Sequence, residues 1–256
     1  MFSGALVNIT EHKPAQHMAA RTPDHLASVA YQKLSTFANS VRRNPNITTV
    51  VNLGIGGSDL GPKMVTQALA GFHDGPVCHF VGNICPTDLH DVLVTCDPHK
   101  TLFIVTSKTF ATAETIANAM MAKHWLNRHG VDAGPAMVTV TAAETRARVW
   151  GIHPDHIFAF ADGIGGRYSV WSSVGLSVMI AIGSENFSRM LAGAYAIDRH
   201  VQQTELAQNI AVIMGLLRVW CRRYLKLPAY GLIPYDQRLA AFPAWAQQLE
   251  MESNGK

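Results

Sequence analysis

Apolar and polar positions alternate in blocks along this chain. Residues 48–55, TTVVNLGI, form a short run rich in β-branched residues that ends at glycines. Residues 59–71, DLGPKMVTQALAG, switch to helical spacing. The alternation then repeats, with strand patterns at 77–82, 101–107, 136–142 and 156–161. Between them lie helical patterns at 87–96, opened by Thr87 as N-cap, at 112–130, closed by Gly130, and at 142–151. An earlier helical pattern occupies 25–41. Short continuous apolar strands separated by helices predict an α/β fold: a doubly wound, five-stranded parallel sheet with helices on both faces.

Long helical patterns follow at 168–183, 184–203 and 206–226. The last is apolar on most faces, which predicts burial between layers. Residues 229–236, AYGLIPYD, then read as another strand, and 237–251 as another helix. One strand cannot make a sheet. The predicted organisation is therefore an N-terminal wrapping segment and helix (1–45), a first sheet domain (46–165), linking helices (166–228) and the start of a second, truncated domain (229–256). On this reading the chain is a piece of a longer protein. It should expose apolar surface and aggregate or need a partner.

Composition narrows the function. Hydrophobic residues make up 48% and charged residues 15%, ample for a buried core. The 21 basic and 18 acidic residues are spread along the chain, so no nucleic-acid footprint is expected. No secretory signal opens the sequence, and the longest apolar run, near 174–182, is far below the roughly 20 residues of a membrane span. A cytoplasmic protein without membrane partners is expected. Cys78, Cys85, Cys96 and Cys221 form no C-x₂-C pair, so neither a metal site nor a disulfide framework is expected.

Ligands of open α/β sheets sit at the carboxyl ends of the strands. Three polar segments lie there. GIGGSDLGP (54–62) offers close backbone approach to a ligand and, through Ser58, a helix cap whose N-terminus favours anions; the alternative is a tight turn with a helix cap and no ligand. As a dinucleotide fingerprint it fails, because Asp59 takes the third glycine position and Asn83 stands where an acidic residue would bind ribose. SKTFATAET (107–115) supplies Ser107, Thr109, Thr112 and Thr115 hydroxyls, Lys108 and the start of a helix, a cradle suited to a phosphate monoester. GIGGRYS (163–169) lets Arg167 enter a crowded site, or leaves it in a surface salt bridge.

Together with PYDQRLAAFPAWAQQLEMESNGK (234–256) and the opening MFSGALVNITE (1–11), these segments resemble the glucose-6-phosphate isomerase family, in order and spacing over the whole chain. The resemblance implies a pair of sugar-isomerase (SIS) domains, of which this chain holds the first and the start of the second. It implies reversible isomerisation of glucose 6-phosphate to fructose 6-phosphate through an enediolate, without cofactor or metal, in a protein that is a homodimer at full length. It places the phosphate on Ser107, Lys108, Thr109 and Thr112, with Gly57 and Ser58 lining the pocket. Arg167 stabilises the enediolate, Gln248 contacts the sugar and Glu252 shuttles the proton. Ala111 and Ala113 depart from a more polar family pattern, and ADGI (161–164) replaces a tryptophan-bearing one. A histidine and a lysine that serve ring opening lie in family segments this chain does not match, so this piece is expected to be impaired alone. The alternative is a non-catalytic SIS module that binds sugar phosphates.

Overall fold

A computed structural model describes Ala5, Leu6 and residues 12–255. The MFSGALVNITE segment of the resemblance lies, except for Ala5 and Leu6, outside the described residues. Five parallel strands, β1 (Thr49–Leu53), β2 (Val77–Val81), β3 (Thr101–Thr106), β4 (Met137–Thr141) and β5 (Ile157–Ala159), form one sheet in the order β2-β1-β3-β4-β5. The order reverses between β1 and β3, and that crevice is where such sheets bind ligands.

Helices cover both faces. They are α1 (Pro23–Ala27), α2 (Val29–Arg43), α3 (Leu60–Ala68), α4 (Pro86–Leu93), α5 (Ala113–Arg128), α6 (Ala133–Ala136), α7 (Glu144–Trp150), α8 (Leu176–Ile182), α9 (Ser184–Gln203), α10 (Ile210–Arg223) and α11 (Phe242–Asn254). Strand side chains alternate between two cores. Val50, Leu102, Ile104, Val138 and Val140 pack beneath α2, α3 and α8. Val51, Leu53, Phe103, Val105 and Met137 pack beneath α4, α5 and α7. Both faces being buried explains why the strands read as continuous apolar runs rather than alternating ones.

Several local expectations change. The 25–41 pattern is two helices, because Ser28 is extended and its hydroxyl accepts from Tyr31 N to start α2. Thr87 does not cap α4; Cys85 holds that position and Pro86 opens the helix, where a missing N–H costs nothing. Residues 168–183 are not one helix. Ser169 and Ser172 hydroxyls donate back to the carbonyls of Gly166 and Ser169 at 2.6 Å, which favours 3-10 turns (Gly166–Trp171 and Ser173–Gly175) before α8. Gly130, by contrast, closes α5 at φ 72° as expected.

Two larger expectations fail. Residues 229–236 form no strand; Tyr230, Ile233 and Tyr235 are exposed, and among the described residues no neighbouring strand pairs with them. A short apolar run becomes a strand only where a sheet edge can receive it. Nor is α10 buried between layers. It has no buried residue, and Ile210, Met214, Leu216, Leu217 and Trp220 are all more than half exposed. Apolar periodicity reports a face that wants covering, not that anything covers it. Among the described residues no helix is long and apolar enough to cross a membrane.

The α10 face should drive self-association of this chain. Replacing Leu216 and Trp220 together by Glu should shift the sedimentation profile towards monomer without lowering the thermal midpoint. A monomeric parent chain that binds no hydrophobic dye would contradict this.

Candidate active site

The site begins with a polar residue in the middle of a strand. Asn52 on β1 is 1% exposed; its amide donates to Ser58 O (2.9 Å) and its carbonyl accepts from the Thr106 hydroxyl on β3 (3.0 Å). A buried amide satisfied on both sides has one orientation. It fixes the 3-10 turn Gly56–Ser58 over the β1–β3 crevice. Ser58 does not cap α3: the N-cap position is Asp59, and no side chain caps the helix there.

Glycines let this turn meet the loop after β5. A Cβ on Gly57 would stand 2.0 Å from Gly166 O, which is impossible, so the two backbones touch only because position 57 has no side chain. Gly56 has φ 58°, and a Cβ there would lie 3.0 Å from Gln248 Nε2. The turn thus seats both the Arg167 loop and α11.

Glu252 and Gln248 stand four residues apart on one face of α11, the spacing at which helical side chains meet. Glu252 lies on the last turn of this helix. Gln248 Nε2 donates to Glu252 Oε2 at 3.2 Å, and Arg167 Nη1 approaches Glu252 Oε1 at 3.3 Å. Arg167 Nε donates to Ser253 Oγ (2.9 Å), which also bonds the Tyr168 hydroxyl (2.7 Å). Arg167, only 17% exposed in its side chain, lies over the Tyr168 ring. Gln248 Oε1 is buried without a hydrogen-bond partner among the described residues.

The segment after β3 is extended by Ser107 N donating to Val140 O, and Ala142 N donating to Lys108 O. Ser107 Oγ and Thr112 Oγ1 are 3.0 Å apart at the start of α5, where no side chain caps the helix. Two hydroxyls and the unused first-turn N–H groups converge there. Thr109 is exposed at the rim, its carbonyl held by Arg146 (3.0 Å). Thr115 faces inward, 2% exposed, and adds no hydroxyl to the surface of the cradle. Lys108 points away from it, donating to Asp162 O (2.6 Å) and pairing with Asp162 Oδ1 at 3.4 Å. Asp162 also holds Lys13 at 2.6 Å, and the Lys13 contact, ahead of Lys108, keeps its carboxyl below the usual range.

The phosphoglucose isomerase family model matches residues 1–256. The chain belongs to the phosphoglucose isomerase family. Over its full length it is 47% identical to a glucose-6-phosphate isomerase of Xanthobacter autotrophicus and 44% identical to one of Ruegeria pomeroyi. The chain spans about half the length of these curated relatives, 51% of each. A crystal structure of a glucose-6-phosphate isomerase from Chlamydia trachomatis superposes with a TM-score of 0.85 at 32% identity, over 96% of this chain and 50% of that one. Within the phosphoglucose isomerase frame, Gly57, Ser58, Arg167, Gln248 and Glu252 form one cluster here. Ser107 and Thr112 form a second around the start of α5.

Sequence reasoning missed Asn52, His17, Asp162 and Ser253. Asn52 was detectable as the one amide inside the first strand run. The others depend on chain crossings that no local pattern encodes.

Asp59 is the buried acid of the site region. It is 6% exposed, its Oδ1 has no hydrogen-bond partner among the described residues, and burial pushes its pKa up to about 6 despite Lys63. The folded carboxyl keeps its proton to about pH 6 while the unfolded one loses it near 3.8, so stability falls as pH rises through that window. Asp59→Asn should stabilise the chain at pH 8 by on the order of 2 kcal/mol, with the gain shrinking towards pH 4. Urea unfolding at both pH values checks this; an equal effect at both would mean that no buried charge is relieved.

Proposed function

We propose that this chain carries the sugar-phosphate and proton-transfer site of a glucose-6-phosphate isomerase, interconverting glucose 6-phosphate and fructose 6-phosphate. The observation that carries the reading is the pairing of Arg167 with Glu252 at 3.3 Å, from separate elements, beside the Gly56–Ser58 turn.

The chemistry requires a base for an unacidic C–H and a cation for the oxygen that becomes negative. Glu252 would take the proton from C1 of the open ketose and return it to the adjacent C2, so one carboxylate serves both directions. Arg167, permanently charged, would stabilise the enediolate oxygen. Gln248, with an unpartnered acceptor buried beside Glu252, would hold a sugar hydroxyl. Ser107, Thr109 and Thr112 would take the phosphate, with Ser58 nearby. Lys108 would exchange the Asp162 contact for the phosphate dianion. A module that only binds sugar phosphate has no use for a carboxylate held against Arg167. Homodimerisation of the whole protein and a cytoplasmic location belong to the same reading, and the α10 face provides an apolar surface for assembly.

Deuterium exchange at C1 of fructose 6-phosphate isolates the proton step from ring opening. The chain should catalyse exchange from heavy water, and Glu252→Gln should reduce it at least about 100-fold, as expected for loss of a general base. Inorganic phosphate affinity should stay within about threefold. Exchange unaffected by Glu252→Gln, or equal loss of exchange and phosphate binding, would remove Glu252 from the role of base.

A further inference from the structure

The N-terminal segment crosses the loop that bears Arg167. Lys13 pairs with Asp162, Gln16 N donates to Gly163 O at 3.0 Å, and Gly163 has room for Pro14 O and Gln16 only because it lacks a Cβ. Arg21 anchors this segment to α9 through a bidentate pair with Asp198, with Arg21 Nη2 to Asp198 Oδ1 at 2.6 Å. His17 sits at the crossing. Its Nδ1 accepts from Gly165 N at 3.3 Å, and its ring packs against Tyr168, tilted by 40°, with centroids 4.6 Å apart. Gly165 and Tyr168 flank Arg167 and are joined by a turn hydrogen bond of 3.0 Å.

We propose that His17 is a positioning residue for Arg167: its imidazole pins Gly165 on one side and Tyr168 on the other, and so holds the guanidinium towards Glu252. The residue type follows from the contacts. The Gly165 N–H needs a lone pair on Nδ1, so the ring must be neutral with its proton on Nε2. Burial, then the charges of Arg167, Arg21 and Lys108, lower its pKa to about 4, so it stays neutral at ordinary pH. A lysine or arginine here would repel Arg167, and an aliphatic residue would leave the Gly165 N–H unpaired. Tyr168 carries the constraint onward, because its hydroxyl and Arg167 Nε share Ser253 Oγ.

This inference rests on the proposed roles of Arg167 and Glu252 only for its effect on sugar binding. Three versions of the chain test it: the parent, His17→Ala and His17→Asn, whose amide oxygen falls where Nδ1 lies. Hydrogen–deuterium exchange of the 163–168 segment should be at least about tenfold faster in His17→Ala, the scale of one lost buried hydrogen bond, and within about twofold of the parent in His17→Asn. Fructose 6-phosphate affinity should follow the same order, while inorganic phosphate affinity stays constant across all three. No change in His17→Ala, no rescue by His17→Asn, or parallel loss of phosphate affinity would each overturn the proposal. If His17→Ala does not fold, His17→Gln, whose carbonyl is displaced by one methylene, takes its place in the comparison. A parent chain that fails to bind fructose 6-phosphate would count against the proposed function, and the exchange rates would still decide the role of His17.

Discussion

The site depends on one backbone contact, that of Gly57 against Gly166. Three parts of the chain, remote in sequence, are placed by it. Asn52 and Thr106 hold the 56–58 turn from the sheet side. The turn holds the Arg167 loop because no Cβ intervenes, and it holds α11 through the space at Gly56 that Gln248 fills. Arg167 and Glu252 then face each other without either belonging to the sheet. Charged groups arranged this way need little reorganisation when charge appears on a substrate oxygen, provided the supports are rigid.

The supports differ in kind. The sheet crevice is fixed by burial on both faces, the strongest constraint available to such a fold. The Arg167 loop lies at the short strand β5, and its order comes from outside the sheet. The N-terminal segment runs over it, with Asp162 bonded to Lys13 and Lys108 and His17 wedged between Gly165 and Tyr168. Lys108, from the segment after β3, is tied to the Arg167 loop through the carbonyl and carboxylate of Asp162.

Much of this was legible beforehand, and the physical reasons are specific. β1, β3 and β4 were readable because each is a fully buried run rich in β-branched residues, while the half-exposed β2 and the three-residue β5 were readable as short apolar stretches between helical patterns. The grouping of Gly57, Ser58, Arg167, Gln248 and Glu252 came from long motifs in order; no single glycine turn would have carried it. Residues 229–236 misled because a short apolar run makes a strand only when a neighbouring strand pairs with it. Serines 169 and 172 broke a long helix by bonding locally, an option that apolar periodicity does not register. His17 and Asp162 were invisible because their roles arise where two segments about 150 residues apart cross, as the 148-residue separation of His17 and Gly165 shows. Helical periodicity correctly gave α10 an apolar face, but a sequence does not state what lies against it.

The central claim is that the glycine contact sets the separation of Arg167 and Glu252. A crystal structure of the Gly57→Ala chain measures this directly. The added Cβ has no room at 2.0 Å from Gly166 O, so the Arg167 loop should move off the turn and the Arg167–Glu252 separation should open from 3.3 Å to beyond about 4 Å, the limit of an ion pair. Both loops still seated, with the pair still at 3.3 Å, would contradict the account.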